Sequence, residues 1–257
     1  MTTDSRPNPV KEKRPAEAGR QAGNAIPSGA ARMDSSKTSS AQEKNKAGLP
    51  TSNRVIAYID GFNLYFGMKS KGWRRYYWLD LVALCQSLLK PDQTLVATNY
   101  FTSRVSPTPH DPKQVQRQNT YLEALEASTG LLPILGHYLP KTMTCRQCSN
   151  TWQTFEEKRT DVNIAIEMLA DAHADRFDTA LLISADSDLS APIEKTRLLF
   201  PGKRVIAAFP PGRHSSQLAR LVHGSFTIGE AKLRQNQLPE SITKADGFVL
   251  QRPKRWL

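Results

Sequence analysis

The feature that most constrains the fold is an alternation, beginning at residue 54, of short apolar segments with longer segments of helical periodicity. The apolar segments are typical of buried strands: residues 54–60, 94–101, 131–138, 179–184 and 204–209. Apolar side chains recur at helical spacing over residues 79–89, 112–128, 161–174, 192–199 and 215–222. This order predicts an α/β, Rossmann-like fold with a mostly parallel central sheet flanked by helices, whose functional edge is the carboxyl ends of the strands.

Residues 1–53 differ in composition from the rest of the chain. Every Phe, Tyr and Trp follows them, and they hold nine Lys or Arg against five Asp or Glu. Because so few large apolar residues cannot form a core, we expect a disordered basic arm. We expect one domain over residues 54–230, with a Cys-x-x-Cys insert near 140–155, and a C-terminal extension over 231–257 that packs on it.

The net charge of +11 and isoelectric point near 9.7 favour a polyanionic partner through long-range attraction. Charge alone does not separate nucleic acid from an anionic membrane or from simple solubility. The longest apolar candidate, residues 179–185, is far shorter than the ~20 residues of a membrane-spanning helix. An odd number of cysteines, three, favours a reducing compartment over a disulfide framework, so we expect a cytoplasmic setting.

Acidic residues follow the predicted strands at informative places. Asp60 ends the first strand, Asp186 and Asp188 follow the strand at 179–184, and Asp161 begins a helix. Because the carboxyl ends of parallel strands meet at one edge, we expect these carboxylates to converge. Crowded carboxylates repel one another unless a hard cation such as Mg²⁺ or Mn²⁺ lies between them, and such an ion is typical of nucleases. The alternative is that these acids form turns or helix N-caps, Asp188 in particular.

Three segments carry a resemblance to a known family. They are DGFN at residues 60–63, EKRTDVNIA at residues 157–165 and SADSD at residues 184–188. In this order they resemble the NYN domain of the PIN-like nuclease superfamily, on its LabA-like or DUF88 branch, over about residues 54–230. The resemblance implies a Rossmann-like sheet and metal-dependent ribonuclease activity.

The resemblance also implies the roles of individual residues. Asp60, Asp161, Asp186 and Asp188 correspond to the acidic, metal-binding and catalytic cluster, and Asn63 matches the amide of the family. By its chemistry Asn63 can orient an acid or a water, and Ser184 and Ser187 can act similarly or can simply form the turn. The sequence departs from the pattern at Ala185, where the family commonly has glycine.

The pair Cys145 and Cys148 has the spacing of a zinc knuckle, and a structural Zn²⁺ is one interpretation. Tetrahedral zinc needs four ligands, however, and the sequence has no second Cys-x-x-Cys motif. His137 or a second chain would have to supply the others. The alternatives are redox chemistry and a reduced loop.

Two basic segments are candidates for substrate binding. Residues 69–78 interleave cations, including Arg74 and Arg75, with aromatic side chains, a combination that can hold single-stranded RNA. Lys158 and Arg159 precede Asp161 and can neutralise a phosphate. The alternatives are a packed loop for the first segment and a solvated surface for the second.

These features favour a Mg²⁺- or Mn²⁺-dependent endoribonuclease that acts on single-stranded or loop RNA, with a homodimer as one plausible assembly. The alternative is a non-catalytic RNA- or protein-binding module on the same fold. A sugar-nucleotide transferase ranks last because it leaves Asp60 and Asp161 without a role.

Overall fold

The structure is a computed structural model that describes residues 52–108 and 111–257, with side chains left out at 138–140 and 152–158. The predicted arm lies outside these residues, apart from its last two. The strands are β1 (Asn53–Asp60), β2 (Gln93–Thr102), β3 (Pro133–Leu135), β4 (His137–Thr144), β5 (Thr151–Lys158), β6 (Thr179–Ile183), β7 (Arg204–Phe209), β8 (Gly224–Thr227), β9 (Ser241–Thr243) and β10 (Val249–Gln251). The helices are α1 (Gly61–Ser70), α2 (Leu81–Ser87), α3 (Gln114–Thr129), α4 (Thr160–His173), α5 (Ser190–Leu199), α6 (Ser216–Leu221) and α7 (Glu230–Gln235).

In the described part of the chain, six parallel strands form one sheet in the order β3-β2-β1-β6-β7-β8. The predicted α/β fold with a mostly parallel sheet flanked by helices is therefore confirmed. Strand β1 lies in the middle, and its residues from Val55 to Ile59 are inaccessible to solvent. A strand covered on both faces needs a continuous apolar run, and this explains why residues 54–60 lack the alternation of a half-exposed strand.

The two faces of the sheet carry separate apolar cores. Val55, Ala57 and Ile59 face a core with residues of α1, α2, α3 and the C-terminal segment, whereas Ile56 and Tyr58 face a core with residues of α4, α5 and α6. Burial of this apolar surface on both sides is the main term that stabilises the sheet.

Helix α4 presents a different face to the core from the one its sequence periodicity predicts. The pattern groups Val162, Ala165, Ile166 and Leu169 on one face, but Val162 and Ile166 are each 57% exposed. The buried apolar residues are Ile164, Met168 and Ala172, which are spaced four apart. The prediction was wrong because both faces of this helix carry apolar residues, and tertiary packing selects between them.

Two further units lie outside the main sheet. The predicted strand at 131–138 is divided between β3 and β4, and β4 pairs with β5 as an antiparallel hairpin that contains the insert. The C-terminal segment forms the β9 and β10 pair and carries Trp256, whose ring centroid lies 5.8 Å from that of Tyr77 and 6.2 Å from that of Trp78. Among the described residues, no helix is long and apolar enough to cross a membrane.

The connections place a topological switch point beside β1. The chain goes from β1 to β2 and β3 on one side, and it returns to β6, β7 and β8 on the other. Ligands of open α/β sheets bind at the carboxyl ends of the strands where the order reverses in this way. Here that place is the edge at which β1 and β6 end.

Candidate metal and catalytic site

Hydrogen bonds to its own carboxylate hold Asp60 at the switch point. It ends β1, is only 4% exposed, and is the N-cap of α1. Its Oδ1 accepts a hydrogen bond from the backbone N–H of Asn63 at 2.9 Å, and its Oδ2 accepts one from the Ser184 hydroxyl at 2.9 Å. The strand therefore passes into the helix with a fixed acid between them.

Asn63 and Ser184 join the ends of β1 and β6. The Asn63 side-chain oxygen accepts a hydrogen bond from the backbone N–H of Ala185 at 3.1 Å, and the Ser184 oxygen accepts one from the N–H of Asp186 at 3.0 Å. Both side chains are buried. Ala185 does not have a positive φ, so the alanine found where the family commonly has glycine introduces no strain of that kind.

Three carboxylates from distant parts of the chain meet at this edge. An oxygen atom of each of Asp60, Asp161 and Asp186 lies within 4.8 Å of the other two. Asp161 is the second residue of α4, and Asp186 follows β6 and caps a short 3-10 helix at Ser187–Leu189. The structure therefore brings together three of the four aspartates that the sequence indicates.

Burial and the neighbouring carboxylates increase the proton affinity of Asp161. Its partial burial, followed by the negative charges of Asp60, Asp186 and Asp188, raises the pKa of Asp161 to about 6. A carboxylate cluster of this kind is stabilised by a cation, and its oxygen donors suit a hard divalent ion.

Asp188 and Ser187 lie at the margin of this cluster. Asp188 is exposed and outside the 4.8 Å group, and its backbone N–H donates to Asp186 Oδ1 at 3.0 Å. Its charge nevertheless contributes to the raised pKa of Asp161. Ser187 is exposed, and its backbone oxygen accepts a hydrogen bond from the Ser190 hydroxyl at 2.6 Å.

The predicted substrate-binding cations have different surroundings. Arg74 is exposed, while Arg75 forms an ion pair with Glu230 at 2.8 Å and lies over the ring of Tyr76. Arg159 is exposed, has a left-handed φ of 78°, and lies 2.5 Å from the ring nitrogen of His137. The side chain of Lys158 is outside the described residues.

The aromatic residues at 76–78 are buried and form part of the core, so this part of the segment is the packed loop that the sequence left as an alternative. Accessible rings lie instead on α1, directly after Asp60. Phe62, Tyr65, Phe66 and Lys69 share the outer face of that helix, with Tyr65 37% and Phe66 39% exposed. Their spacing of three, four and seven residues is the signal that would have identified this face in the sequence.

The two cysteines of the insert lie at the end of the hairpin formed by β4 and β5. Cys145 is partly buried and Cys148 is exposed, and the backbone N–H groups of Gln147 and Cys148 lower the pKa of the Cys145 thiol. Among the described side chains, the acidic cluster is the one group of three or more metal-binding residues found. Within the same set of residues, the two cysteines are therefore not part of a group with the four ligands of a complete zinc site, and zinc binding by Cys145 and Cys148 stays a prediction.

Known proteins include relatives of this chain. Residues 54–229 match the NYN domain. The chain is 27% identical to 6-hydroxy-3-succinoylpyridine 3-monooxygenase HspA from Pseudomonas putida, over 79% of this chain and 75% of that protein. A protein of unknown function from Vibrio parahaemolyticus, solved by crystallography, aligns with a TM-score of 0.44 and 17% identity over 71% of this chain and 97% of its own.

The matched region contains the six-stranded sheet, apart from the first residue of β1, together with Asp60, Asp161 and Asp186. The acids lie at the switch point between the two halves of that sheet. The chain belongs to the NYN domain family, a family of PIN-like nucleases.

Proposed function

We propose that this protein is a metal-dependent endoribonuclease that hydrolyses RNA phosphodiester bonds at the acidic cluster. The observation that carries the proposal is the convergence of Asp60, Asp161 and Asp186 within 4.8 Å at the switch point of the sheet. Three carboxylates placed close together repel one another and do not stabilise the fold. A cluster that is unfavourable for stability is therefore a candidate functional site.

The donor set fits Mg²⁺ or Mn²⁺, since these ions prefer carboxylate oxygens and share them with water and substrate phosphate. Asp60, Asp161 and Asp186 would hold the ion, with Asp188 at the margin. A bound ion would supply Lewis acidity, which shields the charge of the phosphodiester and makes an attacking water more acidic.

The residues around the cluster orient its carboxylates. Ser184 and the N–H of Asn63 fix both oxygens of Asp60, and the Asn63 side chain fixes the turn that carries Asp186. Hydrogen bonds of this kind restrict the ligand rotamers before an ion or a substrate arrives. The net positive charge of the protein favours the approach of RNA from a distance.

The test is cleavage of end-labelled single-stranded and hairpin RNA in Mg²⁺, Mn²⁺ or EDTA. We expect internal cuts with either ion and none in EDTA, and a loss of at least 100-fold in rate for Asp60→Asn and Asp186→Asn. Asp92→Asn is the matched control, because Asp92 is an exposed acid in the turn before β2 and outside the cluster.

Equal cleavage by the wild type and by both cluster variants would overturn the catalytic assignment. RNA that is bound and never cut, with any of the ions, would instead support the non-catalytic binding module.

A second candidate function comes from the Pseudomonas putida relative, which is named as a monooxygenase of a hydroxypyridine. The specific feature in its favour is a cleft of about 260 Å³ lined in part by Phe62, Tyr65, Tyr77 and Tyr100. A small aromatic compound fits an aromatic cleft of this kind.

Oxygen uptake separates this candidate from the nuclease. A monooxygenase puts one atom of O₂ into the ring and reduces the other to water with two electrons from a reductant. Oxygen consumption that requires both 6-hydroxy-3-succinoylpyridine and an added two-electron reductant would support it. No uptake above the protein-free rate would exclude that substrate.

A further inference from the structure

The helix that begins at the acidic cluster, α1, carries two kinds of side chain. A cleft of about 260 Å³ is lined by both kinds: Leu64 and Met68, which are buried and belong to the core, and Phe62, Tyr65 and Phe66, of which the last two are exposed. Large aromatic rings left accessible on a helix that already has a complete buried face are available to contact a ligand.

The cleft starts at the catalytic edge. Gly61 and Phe62, the two residues after Asp60, are part of its wall, and Tyr65 and Phe66 follow within about two helical turns of Asp60, at ~5.4 Å a turn. A glycine at position 61 is required by this arrangement, because a Cβ there would lie 2.6 Å from the Tyr100 ring, which also lines the cleft.

Cations accompany the accessible rings. The Lys69 ammonium lies 5.4 Å from the centre of the Phe66 ring and 5.9 Å from that of Tyr65, and the Arg213 guanidinium lies 5.9 Å from Phe66. These charges face an aromatic surface and the adjoining solvent. Cations beside exposed rings are the combination that binds the phosphates and the flat bases of a single strand together.

Part of the cleft lining is polar. Asp111 and Arg117 form an ion pair there, and both line the cavity. A carboxylate and a guanidinium can accept and donate hydrogen bonds at the edge of a base whose faces are stacked on the rings.

We propose that this cleft, between α1 and the start of α3, binds an unpaired nucleobase of single-stranded RNA and so holds the adjoining phosphodiester at the acidic cluster. Tyr65 and Phe66 stack on bases, and Lys69 and Arg213 neutralise the flanking phosphates. The inference rests on the proposed function in taking RNA as the substrate, and it restricts that substrate to nucleotides that are unpaired and unstacked.

The experiment measures fluorescence anisotropy of a labelled single-stranded oligoribonucleotide, in EDTA so that cleavage cannot consume it. A second oligonucleotide of equal length carries abasic sites in its centre and keeps the phosphates. We expect the wild type to bind the base-containing strand on the order of 10-fold more tightly than the abasic one. This preference should disappear in the double variant Tyr65→Ala/Phe66→Ala and persist in Tyr65→Phe, which keeps the ring.

Phe248→Ala is the matched control, because Phe248 is 60% exposed and also lies beneath a lysine, Lys244, but is outside the cleft. The control should bind like the wild type. Near-ultraviolet circular dichroism and thermal melting check that each variant is folded. If the double variant unfolds, Phe66→Ala alone replaces it, with half the aromatic surface removed.

Several results would overturn the inference: no RNA binding by the wild type, equal binding of the base-containing and abasic strands, or equal loss in Phe248→Ala. Displacement of the RNA by free 6-hydroxy-3-succinoylpyridine at the same rings would assign the cleft to a small heteroaromatic compound instead.

Failure of the cleft assignment is distinguishable from failure of the nuclease proposal. RNA that is cut in Mn²⁺ without any dependence on Tyr65 and Phe66 removes only the cleft assignment. RNA that binds through these rings and is never cut removes only the nuclease.

Discussion

The Ser184 hydroxyl donates a hydrogen bond of 2.9 Å to Oδ2 of Asp60, across 124 positions of sequence. The same oxygen of Ser184 accepts from the N–H of Asp186, so one buried hydroxyl links two of the three clustered acids. The carboxyl ends of β1 and β6 are therefore joined by a side chain as well as by the backbone pairing of the two strands.

Replacing this hydroxyl should weaken the site more than the fold. Ser184→Ala leaves Asp60 Oδ2 without its donor, and loss of such an orienting partner costs about 10- to 100-fold in metal affinity or activity. Mn²⁺ affinity by calorimetry and the rate of RNA cleavage are the measurements. Ser190→Ala is the control, because the Ser190 hydroxyl is also buried but donates to a backbone carbonyl, that of Ser187. Equal losses in both variants would contradict the orienting role of Ser184.

Asp161 should make stability depend on pH and on metal. Its pKa is about 6 in the folded chain against an ordinary value of 3.8, so the folded state binds the proton more tightly. The protein therefore loses stability as pH rises from about 4 to about 6, and above that range the ionised carboxylate is a constant penalty. In EDTA at pH 8, Asp161→Asn should melt roughly 2–4 °C higher than the wild type.

Two comparisons check that assignment. The difference in melting temperature between Asp161→Asn and the wild type should shrink at pH 4, where both side chains are neutral. Mn²⁺ should raise the melting temperature of the wild type more than that of the variant, because a ligand stabilises the state that binds it. A variant that melts below the wild type at pH 8 in EDTA would show that Asp161 stabilises the fold.

Asn63 offers two variants with different consequences. Asn63→Ala removes the acceptor for the partly buried N–H of Ala185 and should lower the free energy of unfolding by about 1–3 kcal/mol, with or without metal. Asn63→Asp keeps the acceptor and adds a fourth negative charge to the cluster. It should be destabilised in EDTA and recover in Mn²⁺. Urea unfolding in both buffers measures this, and an identical response of the two variants to Mn²⁺ would contradict it.

The position of α1 depends on a close approach at Gly67. A Cβ there would lie 2.8 Å from Cβ of Pro210 and 2.8 Å from the carbonyl oxygen of Pro211. Gly67→Ala should therefore destabilise the protein by about 1–3 kcal/mol through overpacking, as measured by urea unfolding. Gly202→Ala is the control, since nothing lies within 4 Å of its added methyl group. A neutral Gly67→Ala would show that the helix can move away from the proline pair.

An ion pair at the opposite end of the sheet predicts a second pH effect. The Arg54 guanidinium and backbone N–H both donate to Asp178, and the side-chain hydrogen bond is the main cause that lowers the pKa of Asp178 to about 2. The carboxylate thus stabilises the fold above pH 4, and this contribution is lost as pH falls toward 2. Asp178→Asn should be less stable than the wild type at pH 7 and equal to it near pH 2. A difference that does not change with pH would contradict the assignment.

The strands and the acids could largely be predicted from the sequence. The predicted strand at 204–209 has the same bounds as β7. Three other predicted strands agree with β1, β2 and β6 within one residue at either end: those at 54–60, 94–101 and 179–184. These segments are buried on both faces of the sheet. Their continuous apolar composition is therefore enough to identify them as strands. The parallel arrangement then follows from the intervening helices, and the placement of Asp60 and Asp186 at one edge follows from the arrangement.

Which side chains finally share a site or a surface was decided by the tertiary structure. Asp161 joins the cluster and Asp188 stays at its margin because α4 and the turn after β6 approach β1 at particular angles, and local periodicity carries no information on those angles. The rings at 76–78 are buried, whereas those of Tyr65 and Phe66 on α1 are exposed, although both sets lie beside cations in the sequence. Residue type and spacing determine which elements form. Burial and convergence depend on contacts between residues more than a hundred positions apart, and only the packed chain brings those contacts about.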